Sequence, residues 1–444
     1  METGALAACM PRRASRTLIY NARLLDPASG LDAWGAVVVE GERIADCGPH
    51  LLASGIPEDA EAVDAGGHAL IPGLLDMRVS IGEPGEEHKE DMASAGRAAA
   101  AGGVTALACL PNTDPIIDDA AGIEFIARRA REARQVKVFP YAAITRGLKG
   151  QELTEMGLLH EAGAVAFTDG LKTVADPQVM RRALSYAKGF GLLLIQHPEE
   201  PRLAAGGMMN AGERATRLGL SGISPIAEVI AIERDLRLLE LTGGRLHIAH
   251  VSTRESVAVI RRAKARGLAV TCDTAPHYFA LTEADVGDYR TFAKVSPPLR
   301  SGDDRAAIVE GVADGTIDVI ASDHTPHDQD SKRVTFAQAA FGIIGLETLL
   351  PLTLELVHNG AVSLRRALEA VTSRPAAVLG LPLGRLEKGR AADLTLVDLE
   401  QPGQIAVSTF RSRSKNSPFD GRPVMGRVLQ TRVDGRPVFT TSVA

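Results

Sequence analysis

Residues 246–277 read LHIAHVSTRESVAVIRRAKARGLAVTCDTAPH, and this stretch decides the fold. LHIAHVS (246–252) is a short apolar run that ends in polar residues, as a buried strand does where it leaves a sheet. ESVAVIRRAKARG follows with apolar residues at helical spacing and stops at Gly267, a helix terminator. AVTCDTAPH (269–277) is a second strand of the same kind. Strand, helix and strand in that order form a parallel crossover unit.

The same alternation runs from about Pro72 to Gly380. Strands are predicted at 74–80, 104–110, 136–144, 164–169 and 192–197 before the unit, and at 318–324 after it. Eight short apolar strands alternating with helices predict a closed (β/α)8 barrel of the TIM type. An open doubly wound sheet is the competing architecture, but no GxGxxG follows any strand. The chain ends differ in texture. LIYNARLLD, GAVVVEGERIADCG and AEAVDAGGHALI near the start are β-like, as are AADLTLVDL and GRVLQTRVDGRPVFTT near the end, where Asp434-Gly435 signals a hairpin. The expected organisation is a flexible leader (1–16), the first part of a small β-sandwich domain (17–70), the barrel (71–380) and the second part of the β-domain (381–444).

Composition excludes several classes. With 45% apolar and 23% charged residues, the 444-residue chain is globular and not disordered. Its 49 basic and 55 acidic residues leave a net charge of −6, and aromatics are only 4%, so no nucleic-acid partner is expected. No apolar run is long enough to span a membrane. Cys9, Cys47, Cys109 and Cys272 are far apart without CxxC spacing, which argues against a disulfide scaffold or a thiolate metal site. Arg12, Arg13 and Arg16 follow an alanine-rich piece, the reverse of signal-peptide order, so a cytoplasmic location is expected.

In this barrel class chemistry sits where strands end. Of 11 histidines, His50, His68, His88, His160 and His358 lie in loop or helical contexts that suit the surface. His197, His250 and His277 end strands, and His324 and His327 follow another. A single strand-end histidine is usually structural, but several converging on one barrel mouth suit a metal or catalytic site. His197, His250 and Asp323 form the sharpest set, since imidazole and carboxylate suit zinc and Asp323 could carry a proton.

The chain resembles dihydroorotases of the long, multifunctional-type class of the amidohydrolase superfamily. The resemblance runs through PGLLDMRV (72–79), EPG (83–85), LPNT (110–113), FTDG (167–170) and HIAHVSTRES (247–256). It continues through PPLRSGDDRAAI (297–308), IASDHTPH (320–327), FGIIGLET (341–348) and KNSPFDG (415–421). It implies a metal-dependent barrel with a flanking β-domain, and reversible closure of carbamoyl-aspartate to dihydroorotate by a hydroxide held between two zinc ions. It also implies substrate contact at Asn112, His327 and Ser296.

The pattern breaks at the metal. Where the family's first strand ends in His-x-His, this chain has Arg78-Val79-Ser80. Both side chains share a strand face and should enter the site, but a guanidinium has no lone pair to donate. Gly170 occupies the bridging-aspartate position, and Asp169 has the wrong strand parity to replace it. Of the carboxylate clamp, Gly82 and Ser296 replace an arginine and an asparagine, and only Asn112 survives. His197, His250 and Asp323 are left to hold at most one zinc, or none, with Asp323 vestigial as a proton carrier. In a closed barrel the first and eighth strands are neighbours, so Arg78 is expected to stand in for the missing cation and pair with Asp323.

The leading expectation is a dihydroorotase homologue that has lost amidase activity and acts as a structural partner of aspartate carbamoyltransferase, itself homo-oligomeric. The alternative is a working cyclic amidase with a reduced mononuclear site. A carboxylated Lys172 bridge is set aside because that residue lies a full pleat beyond Gly170. A third reading is a protein that only binds a small ligand. The loop 326–341 is expected to be a solvated excursion.

Overall fold

The computed structural model describes residues 16–54, 56 and 60–441, so all but the last residue of the expected leader lies outside the described residues. The barrel strands are Leu74–Val79, Val104–Cys109, Lys137–Ala142, Ala166–Thr168, Leu193–Gln196, Arg245–Ile248, Val270–Thr274 and Val319–Ile320. Each pairs in parallel with the next in chain order. The eighth is only two residues long, because the chain turns off at the site. Closure is completed by a parallel bridge between Val79 and His324, with Ser80 N donating to the His324 carbonyl at 2.8 Å. Leu75, Met77, Ala106, Ala108, Tyr141, Ile195 and Ala249 fill the interior as one buried cluster. Helix Ser373–Leu379 packs Ala376, Val378 and Leu379 onto it.

The first strand carries the detail that shapes the site. Its register against the second strand shifts between Asp76 and Val79. Such a bulge changes which side chains face inward: Leu75 and Met77 belong to the interior cluster, and beyond the bulge Arg78 reaches into the mouth. The irregular backbone is held by Asp76, whose Oδ1 accepts from Arg78 N and Ser322 N, both at 3.1 Å. Tyr141 Oη donates to the Met77 carbonyl at 2.9 Å. Polar groups freed from the ladder are thereby satisfied.

Both chain ends meet in one β-domain, as expected, its eight strands joined by a continuous path of hydrogen-bonded pairs. Leu394–Gln404 joins antiparallel to Ala69–Pro72, placing Leu70 opposite Leu396, and Ala69–Pro72 runs parallel to Arg16–Asp26. The Asp434-Gly435 hairpin forms as its residues require, with φ of 48° and 73°. One buried contact ties the sheet to the barrel. Lys137 Nζ, at the start of the third barrel strand, lies 2.6 Å from Asp393 Oδ2 and 2.7 Å from Asp434 Oδ1. Burial alone pushes Lys137 down, but the two carboxylates raise its pKa above the ordinary value. Lys137→Met would leave Asp393 buried without a counter-charge, and a loss of about 2 kcal/mol in stability to urea is expected. An unchanged unfolding midpoint would contradict this role.

Candidate active site at the barrel mouth

Arg78 and Asp323, 245 positions apart in the chain, meet at the mouth. Arg78 Nε donates to Asp323 Oδ1 at 2.8 Å, and Nη2 donates to the Gly170 carbonyl at 3.1 Å. The two residues are 2% and 7% exposed, so the pair is shielded from water and salt. His250 Nδ1 lies 3.3 Å from Asp323 Oδ2, and His277 Nε2 lies 3.9 Å from the same oxygen. His197 Nδ1 is 2.6 Å from His250 Nε2, and Glu199 Oε1 lies 3.8 Å from His197 Nε2. A line of polar groups therefore crosses the mouth from Glu199 through His197, His250 and Asp323 to Arg78.

Local backbone geometry sets these positions. His250 and Asp323 have φ of 36° and 53°, left-handed conformations that carry strain outside glycine and recur at functional sites. His250 is held there by Asp273, whose Oδ1 accepts from its backbone N at 2.6 Å and whose Oδ2 faces His247 Nε2 at 2.9 Å. Gly170 has φ of 66°, and a Cβ there would approach Asn112 Cβ to 3.4 Å. A side chain there would have to adopt the same left-handed backbone that Asp323 does. Asp169 turns the other way, as its parity requires, and accepts from Thr145 N at 2.9 Å and from Thr145 Oγ1.

Electrostatics follow from burial and Arg78. Burial opposes charge on Asp323, but the facing His250 and the Arg78 guanidinium outweigh it and hold the carboxyl well below the usual carboxylate range. Burial, reinforced by Arg78, pushes His250 down to about 4, and burial pushes His277 to about 4. The imidazoles are neutral at pH 7, which leaves Arg78 as the fixed cation beside Asp323.

These residues do not fit a metal centre. The guanidinium occupies the carboxylate oxygen that would face a cation, and His197 and His250 point a ring nitrogen at each other across a distance that shares one proton between them. Among the described residues, no group of three or more histidine, cysteine, aspartate or glutamate side chains is arranged to hold a metal ion. His197, His250 and Asp323 do come together, but as a hydrogen-bonded chain closed by Arg78.

The positions expected to touch substrate come from three separate segments of the chain. Asn112 is half-buried beside Gly170. Ser296 is half-buried ahead of Pro297, whose carbonyl accepts from Tyr278 Oη at 2.7 Å. His327 turns into its own loop, with Nε2 2.8 Å from the Phe341 carbonyl. That loop is solvated only in part, with Asp330 and Arg333 exposed but Lys332 and Phe336 buried. Lys332 is 1% exposed and donates to the carbonyls of Ala340 and Thr291 at 2.6 and 3.2 Å. Lys294 Nζ donates to the Phe336 and Ala337 carbonyls at 2.7 and 3.0 Å. Runs of charged residues gave no sign that these lysines are buried. Asp273 was also missed, although its place beside His250 on the neighbouring strand was a usable signal.

The dihydro-orotase-like family model matches residues 67–256. The dihydroorotase of Syntrophotalea carbinolica is 51% identical over 427 residues, covering 96% of this chain and all of that protein. The dihydroorotase of Pelobacter propionicus is 48% identical over 95% of this chain and 99% of its own length. Among solved structures, the L-hydantoinase from Arthrobacter aurescens superposes with a TM-score of 0.86 at 27% identity, covering 97% of each chain. The dihydropyrimidinase from Brevibacillus agri superposes at 0.82 with 22% identity over 96% of this chain and 95% of its own, a likeness of fold.

Two expectations follow from the ion pair. Arg78→Met leaves a buried carboxylate without its cation, and a loss of about 3–5 kcal/mol at neutral pH is expected in chemical denaturation. The difference should shrink in acid, because the stability that Asp323 contributes is present above the ordinary carboxylate pKa and is lost as the carboxyl protonates. His250 and His277 are neutral in the fold at pH values where the unfolded chain binds protons. Stability should therefore fall as pH drops from about 6.5 towards about 4. A flat pH profile, or an Arg78→Met protein as stable as the parent, would contradict these assignments.

Proposed function

The chain belongs to the dihydroorotase family, and we propose that this member is a non-catalytic form of it that serves as a structural partner of aspartate carbamoyltransferase. The family acts in pyrimidine biosynthesis, and the relatives above carry the name dihydroorotase. The observation that carries the proposal is the Arg78 guanidinium on Asp323 and the Gly170 carbonyl. It puts a permanent positive charge where the resemblance calls for a metal-bound hydroxide, and Arg78 cannot lose its proton to become a ligand. In the mechanism that the resemblance implies, a metal makes bound water a nucleophile by lowering its pKa from 15.7 to about 7. A guanidinium cannot coordinate and acidify water in that way.

The rest of the molecule supports a role other than turnover. The barrel is closed, the backbone of the bulge that aims Arg78 is held by Asp76, and Lys137 forms an ion pair with the second domain. A complete scaffold around a mouth without metal ligands suits a protein kept for its shape and associations. Partnership with aspartate carbamoyltransferase, and self-association of the chain, are the associations proposed. Among the described residues no helix is long and apolar enough to cross a membrane.

One observation favours a second reading. His250 and His277 still reach towards Asp323, with His197 behind His250, which suits a weak cyclic amidase that takes up a single zinc ion after Arg78 moves. The two readings part in one assay. Closure of N-carbamoyl-aspartate and opening of dihydroorotate are measured with purified protein, with and without added zinc. No turnover above the zinc-only blank is expected, and zinc-dependent turnover by this chain would overturn the non-catalytic proposal. The partner is tested by co-expression with aspartate carbamoyltransferase and sizing at native salt. Co-elution is expected, and two separate peaks would reject the partnership.

A further inference from the structure

We propose that the outer wall of the barrel carries a docking groove for an acidic amphipathic helix of a partner protein, between helices Ile226–Thr242 and Arg254–Ala265. These helices follow the fifth and sixth barrel strands and pack against each other. The inner face of Ile226–Thr242 is ordinary, with Val229, Ile232, Leu236 and Leu239 buried in the core. Its outer face is not. Ile226, Ile230 and Leu241 are 40%, 42% and 70% exposed, and their spacing puts them, with Arg237, on one stripe of the helix. A helix on a barrel wall needs one apolar face against the core. A second one turned to water does nothing for the fold and marks an interface.

The stripe borders a groove of about 490 Å³. The floor of the groove is apolar, made by Leu236, Val259 and Ala263, all buried. Its walls are basic. Arg234, Arg237, Arg262 and Arg266 line it, with Glu233 the one carboxylate among the described lining residues. Such a concentration stands out in a chain whose net charge is −6. Nearby carboxylates do not quench it. Asp235 takes up Arg234 at 2.7 Å, but Glu240 is shared between Arg237, at 3.2 Å, and Arg266. A surplus of positive charge is left facing an apolar floor.

The order of residues defines the occupant. Along the helix, apolar Ile226 and Ile230 come first, then Arg234 and Arg237, then apolar Leu241, with Arg262 and Arg266 across the groove. The complement is apolar at both ends and acidic in the middle, which suits an amphipathic helix laid into the groove. Arginine serves such a boundary well, because its stem packs on apolar surface while its guanidinium pairs with carboxylates. A second copy of this chain fits less well. A twofold axis through the middle of Ile226–Thr242 would set Ile226 against Leu241, but it would also crowd Arg234 and Arg237 against their own counterparts. A membrane surface, being flat, would not reach the buried floor. The groove lies outside the mouth, so the inference does not rest on the non-catalytic reading.

The test is fluorescence anisotropy with two labelled synthetic helical peptides titrated with the full chain. Both peptides carry the same leucine stripe, flanked by glutamate in one and by lysine in the other. The glutamate peptide is expected to bind about tenfold tighter than the lysine peptide, and to weaken as salt rises. Arg237→Glu with Arg262→Glu should reverse that preference, and Ile230→Gln with Leu241→Gln should weaken the glutamate peptide about tenfold. All four positions are exposed, so these variants keep the fold. Equal affinity for the two peptides, no response to the glutamate peptide at millimolar concentration, or affinity unchanged in both variants would overturn the inference. So would a dimer in sedimentation that Ile230→Gln with Leu241→Gln dissociates, which would assign the face to a second copy. Binding to phosphatidylglycerol vesicles that Arg237→Glu with Arg262→Glu abolishes would overturn it in favour of a lipid surface. Amidase turnover, found or not, leaves this claim untouched.

Discussion

A carboxylate buried at the end of the eighth barrel strand must be neutralised, and in this chain the neutralising charge is covalently part of the protein. Arg78 and Asp323 come from the two strands that meet to close the barrel. The ion pair therefore sits on the seam of the fold, close to the bridge between Val79 and His324. Leaving either charge alone there is costly, so each residue constrains the other. Much else at the mouth follows. The bulge at Asp76–Val79 exists in a form that aims Arg78 inward, and the Gly170 carbonyl takes the second guanidinium N–H. His250, pressed against both charges, stays neutral.

The fold was largely legible. Apolar runs ending in polar residues marked all eight barrel strands, because a strand buried on both faces has to be apolar and its exit has to be polar. Adjacency of the first and eighth strands in a closed barrel was enough to bring Arg78 to Asp323. The Asp434-Gly435 hairpin could be read because two successive positive φ angles leave few residue choices. What could not be read were arrangements set by register and by distant partners. The bulge in the first strand leaves no periodic signature in six residues. Lys294 and Lys332 look like solvated charges, and only the carbonyls of a returning loop, which they saturate, make their burial tolerable. The partner of His327 Nε2, the Phe341 carbonyl, lies 14 residues on and has no local signature in IASDHTPH. The ends of the chain read as one small β-domain, and pairing across Ala69–Pro72 joins them, but the register of that pairing could not be read.

Binding and catalysis are separable at this mouth. Catalysis of amide hydrolysis needs a nucleophile and a charge that acts on the transition state more than on the ground state. Here the cation is spent on Asp323 before any ligand arrives. Binding needs only complementary donors and acceptors in a preorganised frame.

The central claim is that Arg78 occupies the electrostatic place of a metal. Crystals grown with excess zinc and measured on both sides of the zinc absorption edge test it most directly. The account predicts no anomalous peak at the mouth and clear density for the guanidinium on the Asp323 carboxylate. An anomalous peak bonded to His197, His250 and Asp323, with Arg78 swung away, would contradict it.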